Sequence, residues 1–264
     1  MTAIQDALLA RINKQEMVKA FHEEGFNEIT MESPLSLMAE YIRWMGGLRD
    51  LTLACVRKTD SENVFFTEAE WNSMSANNKS RYVKIGVRIR ARKRSFIIAK
   101  DNAKAVDGNI TFKFGCTDRD LKGVQNYGSV NYGLYDITSG LADTKAAIDQ
   151  SAGQADSNGI IGAPACEAAW NYSAATEDKN QWYLPSISEL RLISEFRKEI
   201  NSFISKMFSS ENLIVLDWYW SSTEYNSSYS WYVYMDDGNS YYGYRTVAYR
   251  VRPVCSCSSA DQPL

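Results

Sequence analysis

The sequence predicts an α+β protein, with helices at the front, a basic hairpin in the middle, and a long helix followed by tyrosine-rich strands at the end. Three observations predict it. Apolar residues recur at helical spacing from Ile187 to Met207. Val83, Ile85, Val87 and Ile89 alternate with polar and charged neighbours, the period of a half-buried strand. Trp231, Val233 and Met235 alternate in the same way with Tyr232, Tyr234 and Asp236.

The chain has 264 residues, enough for one large domain or a domain with a smaller appendage. Hydrophobic residues make up 45% and charged residues 23%, so a packed core is expected and wholesale disorder is not. A net charge of −3 argues against nucleic-acid binding by bulk basic charge. No stretch reaches the apolar length of a membrane span, so membrane insertion is not expected. The first residues lack a basic stretch followed by an apolar core. No secretory signal is visible, and a virion-associated or cytoplasmic location is expected ahead of secretion by the usual route. Five cysteines, Cys55, Cys116, Cys166, Cys255 and Cys257, show neither CxxC spacing nor an even count, so neither a disulfide framework nor a zinc site is expected. Cys255 and Cys257 read as part of a frayed polar tail.

The first sixty residues read as helical. Thr2 with Gln5, and Asn13 with Glu16, have capping-box spacing, and an apolar stripe through Ile4, Leu8, Ile12, Met17 and Phe21 ends at Gly25. A further helix starts at Ser33-Pro34, carries Leu35, Met38 and Ile42 on one face, and stops at Gly46-Gly47. These helices suit docking or homo-oligomerisation. The lone histidine, His22, sits among them as an ordinary helix residue. Residues 81–100 predict a hairpin turning near Arg92-Lys93, with Lys84, Arg88 and Arg90 on its outer face. No aromatic residues interleave with those charges, so a solvated strand face is the simpler reading. Residues 101–140 read as loops and short strands, 141–150 as a short helix, and 186–208 as one long helix opened by the Ser186/Glu189 capping box.

Nine of the sixteen tyrosines fall between Tyr219 and Tyr249. Asp237-Gly238 signals a hairpin turn, with a second strand from about Ser240 to Val251 whose inward face would carry Val247 and Val251. Tyrosine, serine, glycine and asparagine together make up recognition loops in antibodies, where tyrosine gives rigid contact area at small entropy cost. The same tyrosines could merely favour strands. Recognition is the better account of the 226–230 loop, which lies outside a strand pattern. The expected binding surface comprises Tyr225, Asn226, Ser227, Ser228, Tyr229, Ser230, Tyr232, Tyr234, Asp236, Asp237, Asn239, Ser240, Tyr241, Tyr242, Tyr244, Arg245, Thr246 and Tyr249. Tyr229, Tyr232, Tyr234, Tyr241, Tyr242 and Tyr244, with Asp236, Asn239 and Arg245, are expected to form one contiguous patch supported by Trp231, Val233, Met235 and Val247.

The runs QWYLPSISEL (181–190), YWSSTEY (219–225) and YRVRPV (249–254) resemble C-type-lectin-like domains of bacterial and phage proteins. More narrowly, they resemble the variable proteins of diversity-generating retroelements, in which adenine-directed mutagenesis rewrites a C-terminal segment. The resemblance covers roughly residues 80–254. It implies a C-type-lectin-like fold with a small antiparallel sheet and two helices, following the helical N-terminal region. It also implies a protein or glycan ligand. Randomised asparagine codons reach Tyr, Ser, Asp, Gly, Arg and Thr but never Trp, Met, Lys, Glu or Gln. From 225 to 249 only Trp231 and Met235 are unreachable, and both fall on the inferred inner face.

An enzyme is not expected. One N-terminal histidine cannot supply a Ser/His/Asp set. The paired cysteines or copper of the related formylglycine-generating oxidases have no counterpart beyond Cys255 and Cys257, and the calcium motifs of true C-type lectins do not occur. No cofactor is expected, and a structural cation is left open because nothing specifies one. The layout expected is a helical region over 1–60, a ligand-binding domain over 61–257 and a tail over 258–264. Two alternatives stay open: an invariant surface or fimbrial module of the same fold, and, behind it, an oxidase of the formylglycine-generating type.

Overall fold

The computed structural model describes residues 48–91, 94–127, 137 and 139–257. The chain divides into two units, Met1–Arg49 with Arg90–Arg94, and Asp50–Ile89 with Ser95–Leu264. Most of the first unit, including the expected N-terminal helices, His22 and the Arg92-Lys93 turn, lies outside the described residues, as does the tail 258–264.

Among the described residues the elements run as strands β1 (Leu48–Arg57) and β2 (Asn63–Phe66), short helices α1 (Glu68–Ser73) and α2 (Ala76–Lys79), and strands β3 (Tyr82–Ala91), β4 (Arg94–Ala99) and β5 (Phe112–Lys113). Helices α3 (Gly140–Ser151), α4 (Pro164–Trp170), α5 (Ile187–Glu195) and α6 (Arg197–Met207) follow. Strands β6 (Trp218–Glu224), β7 (Tyr229–Tyr234), β8 (Ser240–Tyr244), β9 (Ala248–Tyr249) and β10 (Val254–Ser256) complete the chain. They build a five-stranded sheet in the order β10-β4-β3-β1-β2, a three-stranded sheet β6-β7-β8, and a small β5-β9 pair. This is the α+β architecture read from the sequence.

Several expectations need correction. β1 lies inside the segment read as helical; its Leu53 to Val56 run is fully buried, so it carries no alternation to mark it as a strand. The long helix is two helices, α5 and α6, separated at Phe196, whose φ of −102° and ψ of 19° leave the helical region. No glycine or proline marks that break. Cys255 and Cys257 are not in a frayed tail. β10 pairs with β4, with Cys255 opposite Ile97, and both thiols are buried. All five cysteines are free and buried. The basic face of β3 is half-buried: Lys84 donates to the Met207 carbonyl and lies over Trp71, and Arg88 packs over Phe65 at 4.1 Å while donating to Thr52 Oγ1 at 3.1 Å.

One segment joins the layers. Trp182 is fully buried in the core beneath the larger sheet, with Ile85, Ile97 and Cys255, and donates to Asp178. Tyr183 exchanges both backbone hydrogen bonds with Val254, at 2.9 and 3.0 Å. Its hydroxyl donates to Glu189, the N3 residue of the α5 capping box opened by Ser186. The Pro185 carbonyl accepts from Ser222 at 2.8 Å, and Thr223 Oγ1 accepts the Ile187 amide at 3.0 Å. The α5 N-terminus is therefore satisfied by its own cap and by β6 together.

Ser186 is fully buried, and its hydroxyl also lies 2.8 Å from the Ile137 carbonyl. Replacing an N-cap serine by alanine costs about 1–2 kcal/mol. Ser186→Ala should lower the unfolding free energy by that amount in urea titration, and Ser186→Thr by much less.

Candidate functional site

The three-stranded sheet that carries the tyrosines is built on buried hydroxyl residues. In β6, Ser221 through Glu224 are all buried, and the pairing with β7 shifts register between Trp220 and Glu224. Small side chains let the backbone pass through the interior, and the Ser221 and Thr223 hydroxyls find partners there, whereas the Ser222 hydroxyl is buried without one among the described residues. Ser221 donates to the Trp231 carbonyl at 2.8 Å, and Thr223 receives α5. α5 packs on β6 and β7, over the face that carries Tyr219, Val233 and Trp231.

At the end of β6 the fold is fastened by a buried ion pair. Glu224 and Arg245 are both fully buried and bonded through Arg245 Nη2. The guanidinium also donates to the Asn226 carbonyl at 2.6 Å, to Cys116 at 3.1 Å and to Arg119 at 3.3 Å. Arg245 lies over Phe114, whose backbone amide donates to the Arg245 carbonyl at 3.0 Å. Burial pushes the Glu224 carboxyl up to about 7, while Arg245 pulls the other way. Arg245 is thus a structural cation and not the surface residue expected from its place between exposed tyrosines.

Other expected surface residues are also held by the fold. Asn226 Oδ1 accepts the Ser228 and Tyr229 amides at 2.9 and 3.0 Å, closing the loop on itself. Ser228 donates to Asp118, whose amide donates to the Ser227 carbonyl. Ser230 is fully buried opposite Gly243, and Tyr249 is 9% exposed. Val247, expected inside, is 40% exposed, because β8 ends at Tyr244 and a turn interrupts the alternation.

The single patch expected of the tyrosines divides into two. Consecutive strand residues point to opposite faces, so Tyr241 and Tyr242 cannot share one. The register places Tyr242 opposite Trp231 and Tyr244 opposite Tyr229, whereas Tyr241 is opposite Tyr232. On the first face Tyr225 stacks on Tyr242 at 3.9 Å, and Tyr229 lies 4.3 Å from Tyr244. Buried Trp231 supports them, 5.4 Å from Tyr225 and 5.8 Å from Tyr242. On the second face Trp220, Tyr232 and Tyr249 form a mutual cluster with ring separations of 4.6 to 5.8 Å. Tyr241 stacks on Tyr232, and Trp218 packs against Tyr234 and Tyr249.

What is exposed is the edge. Tyr241, Tyr242 and Tyr244 of β8 are 40%, 50% and 57% exposed, whereas Tyr232 and Tyr234 of the central strand are half-buried. Trp218, which the expected surface omitted, is 45% exposed at the opposite edge. Its signal was present in the alternation of Trp218 with Trp220. Asp236, Asp237 and Asn239 are exposed at the hairpin turn, as expected, and Ser240 and Thr246 are half-exposed. The Tyr241 hydroxyl donates to Asp237 at 2.6 Å, which lowers that carboxyl and raises the phenol. The neighbouring Tyr244 hydroxyl holds the Tyr229 phenol up at about 12. The Tyr229 and Tyr241 hydroxyls are neutral at physiological pH.

The α+β architecture with small antiparallel sheets is of the C-type-lectin-like type. Residues 135–255, somewhat under half of the chain, match the model of the family described as the Lcl C-terminal domain, and the match spans α3 to β10, the elements around the tyrosine sheet. No curated protein and no solved structure matches the chain. Among the described residues no cluster of three or more His, Cys, Asp or Glu side chains is placed to hold a metal. No helix of the described residues is long and apolar enough to cross a membrane.

Two predictions follow from the buried charges. Removing one partner of a buried pair costs about 3–5 kcal/mol, whereas an exposed substitution shifts stability by less than about 0.5 kcal/mol. Arg245→Ala should therefore lose at least about 3 kcal/mol in chemical unfolding, and Arg245→Lys should not rescue it, since one ammonium cannot reach four oxygens. Asp143 of α3 is pushed up to about 7 by burial, against the Ser139 hydroxyl that lowers it and with Glu189 raising it further. The folded protein then keeps a proton that the unfolded chain loses near pH 4. Stability should fall from about pH 4 to pH 7. Asp143→Asn should shrink that slope, with Glu224 supplying what remains; an unchanged slope would refute the assignment.

Proposed function

We propose that the chain is a ligand-binding protein whose contact surface is the aromatic edge of the three-stranded sheet, and that it acts by recognition and not by catalysis. The observation that carries this reading is the exposure of Tyr241, Tyr242 and Tyr244 on one short strand, each ring packed against an aromatic neighbour of the sheet. Rings held in place lose little entropy on binding and offer both a flat apolar surface and a hydroxyl. The likeness of residues 135–255 to the Lcl C-terminal domain supports the reading. The ligand is a protein or a glycan.

The retroelement reading is the finer proposal. Residues 225–249 hold only residues reachable from randomised asparagine codons, apart from Trp231 and Met235, and both of these are buried. Diversification would have to spare Asn226, Ser230, Arg245 and Tyr249, which the fold itself uses. The fixed roles of these four residues are also what favours the second reading, an invariant module of the same fold. A DNA copy of this segment beside a reverse-transcriptase gene, with adenine differences at the codons of Tyr241, Tyr242 and Tyr244 but not of Arg245, supports diversification. A locus without such a copy leaves the invariant module.

Binding energy at such surfaces concentrates in a few aromatic anchors, so Tyr242→Ala or Tyr244→Ala should weaken binding of a screened ligand by more than about 2 kcal/mol. Stability should change by about 1 kcal/mol or less, the scale of a cross-strand aromatic pair. Trp231→Ala should cost about 3–5 kcal/mol of stability. Affinity and melting temperature measured on the same variants decide the matter. Tyrosine variants that melt as low as the Trp231 variant would make these residues core and overturn the reading.

A further inference from the structure

We infer that the ligand is an extended segment of another protein that adds as a strand to the free edge of β8, with a lysine or arginine at the end lying beside the Asp236-Asp237 turn. This rests on the ligand-binding reading above and names the class of ligand and the mode of capture.

The backbone sets the argument. The Tyr234 amide donates to the Asn239 carbonyl and the Arg245 amide to the Ser228 carbonyl, each at 3.2 Å, so both ends of the β7–β8 ladder are hydrogen-bonded pairs. Antiparallel ladders alternate bonded and non-bonded pairs. Between those ends, Tyr241 and Gly243 turn their amides and carbonyls toward β7, opposite Tyr232 and Ser230. Ser240 and Tyr242 therefore turn theirs outward, on the side where β8 has no neighbour in its sheet among the described residues. Tyr244 presents its amide there too, while its carbonyl accepts from Val247.

Proteins usually blunt such an edge with lysine, proline or a bulge. β8 reads SYYGY and carries none of these; shortness is its one guard. Its side chains extend the edge on both faces, Tyr242 and Tyr244 on one and Tyr241 on the other. An added strand alternates its side chains between two faces and would meet an aromatic shelf on each.

Charge selects the occupant. From 225 to 249 the one cation is Arg245, which is fully buried, and the exposed ionic groups are Asp236 and Asp237 at the hairpin end. A segment with a basic residue at that end complements them. A second copy of β8 would bring the same acidic turn and no cation, so self-pairing lacks this match.

The test uses the full chain. A displayed library of random linear peptides is panned against it, recovered peptides are synthesised with a fluorescent label, and a glycan array is probed in parallel. Enriched peptides should alternate β-branched or aromatic residues and carry lysine or arginine toward one end. N-methylation of alternate amides in one phase should weaken binding by about tenfold or more, the scale of lost backbone hydrogen bonds, and in the other phase by much less. Tyr242→Lys should abolish binding with a melting temperature close to that of the parent. Equal tolerance of both N-methylation phases would mean side-chain capture alone and would overturn strand addition, as would a library with no enrichment. Glycans bound in a Tyr242- and Tyr244-dependent way, with no peptide enriched, would remove strand addition and leave the ligand-binding reading standing. Self-association in sedimentation that Tyr242→Lys abolishes would assign the edge to a second copy and also overturn the inference.

Discussion

Arg245 is the one cation in a stretch of aromatic and small polar residues, and it is among the least exposed side chains of the protein. Its guanidinium gathers three backbone carbonyls and the Glu224 carboxylate from two segments, the 116–119 loop and the end of β6 with the loop that follows it. A planar group with five donors suits this task, because each bond constrains direction as well as distance. Desolvating the charge is costly, and the attraction to Glu224 together with the three carbonyl contacts offsets part of that cost, while Glu224 Oε2 and Arg245 Nε stay buried without a partner among the described residues. The backbone pays locally as well: Cys116 and Asp118 hold φ of 54° and 63°, a left-handed conformation that non-glycine residues adopt at some expense. The Cys116 carbonyl and the Asp118 amide are both engaged in this knot. What it secures is the start of β7 and the end of β8, and hence the position of every ring on the tyrosine edge.

The sheet makes a small area rigid by covering both faces of its middle and leaving its margins open. α5 lies over Trp231 and Val233, while Phe114, Trp220 and Tyr249 fill the opposite face. Exposure therefore belongs to the edge strand and to the start of β6, not to one face. This reconciles period-two alternation with exposed neighbours at Tyr241 and Tyr242, since an edge strand that overhangs its supports is open on both sides.

Much of this was legible in the sequence where a local rule has a local cause. The Ser186/Glu189 box, the Asp237-Gly238 turn and the inward placement of Trp231, Val233 and Met235 each depend on a few adjacent residues. The same rule at Thr67 and Glu70 opens α1, a helix the sequence reading passed over. The failures are all tertiary. β1 is buried along its centre and has no polar face to alternate with. The Phe196 break follows no helix breaker in the sequence. Cys255 and Cys257 looked terminal because β10 is only three residues long and is defined by its partner β4. Arg245 looked exposed because composition describes a segment, whereas burial is decided residue by residue by what folds against it.

That distinction bears on how such a segment could vary. Along 225–249 structural and free positions interleave at intervals of one or two residues, so no block of the segment is wholly framework or wholly surface. Asn226 closes a loop, Ser230 fits where β7 faces Gly243, and Arg245 ties two segments together; a side chain added at Gly243 would come within 2.9 Å of the Tyr232 ring. Tyr241, Tyr242, Tyr244 and Asn239 lie outward of these supports. Exposed substitutions usually shift stability by less than about 0.5 kcal/mol, against a total of about 5–15 kcal/mol for a folded domain. Several outward positions could then change together before the domain unfolds, whereas one change at Arg245 would use up a large share of that margin. A diversified surface on this fold is feasible only if the process that varies it acts codon by codon, because the fold does not separate the two classes of residue along the chain.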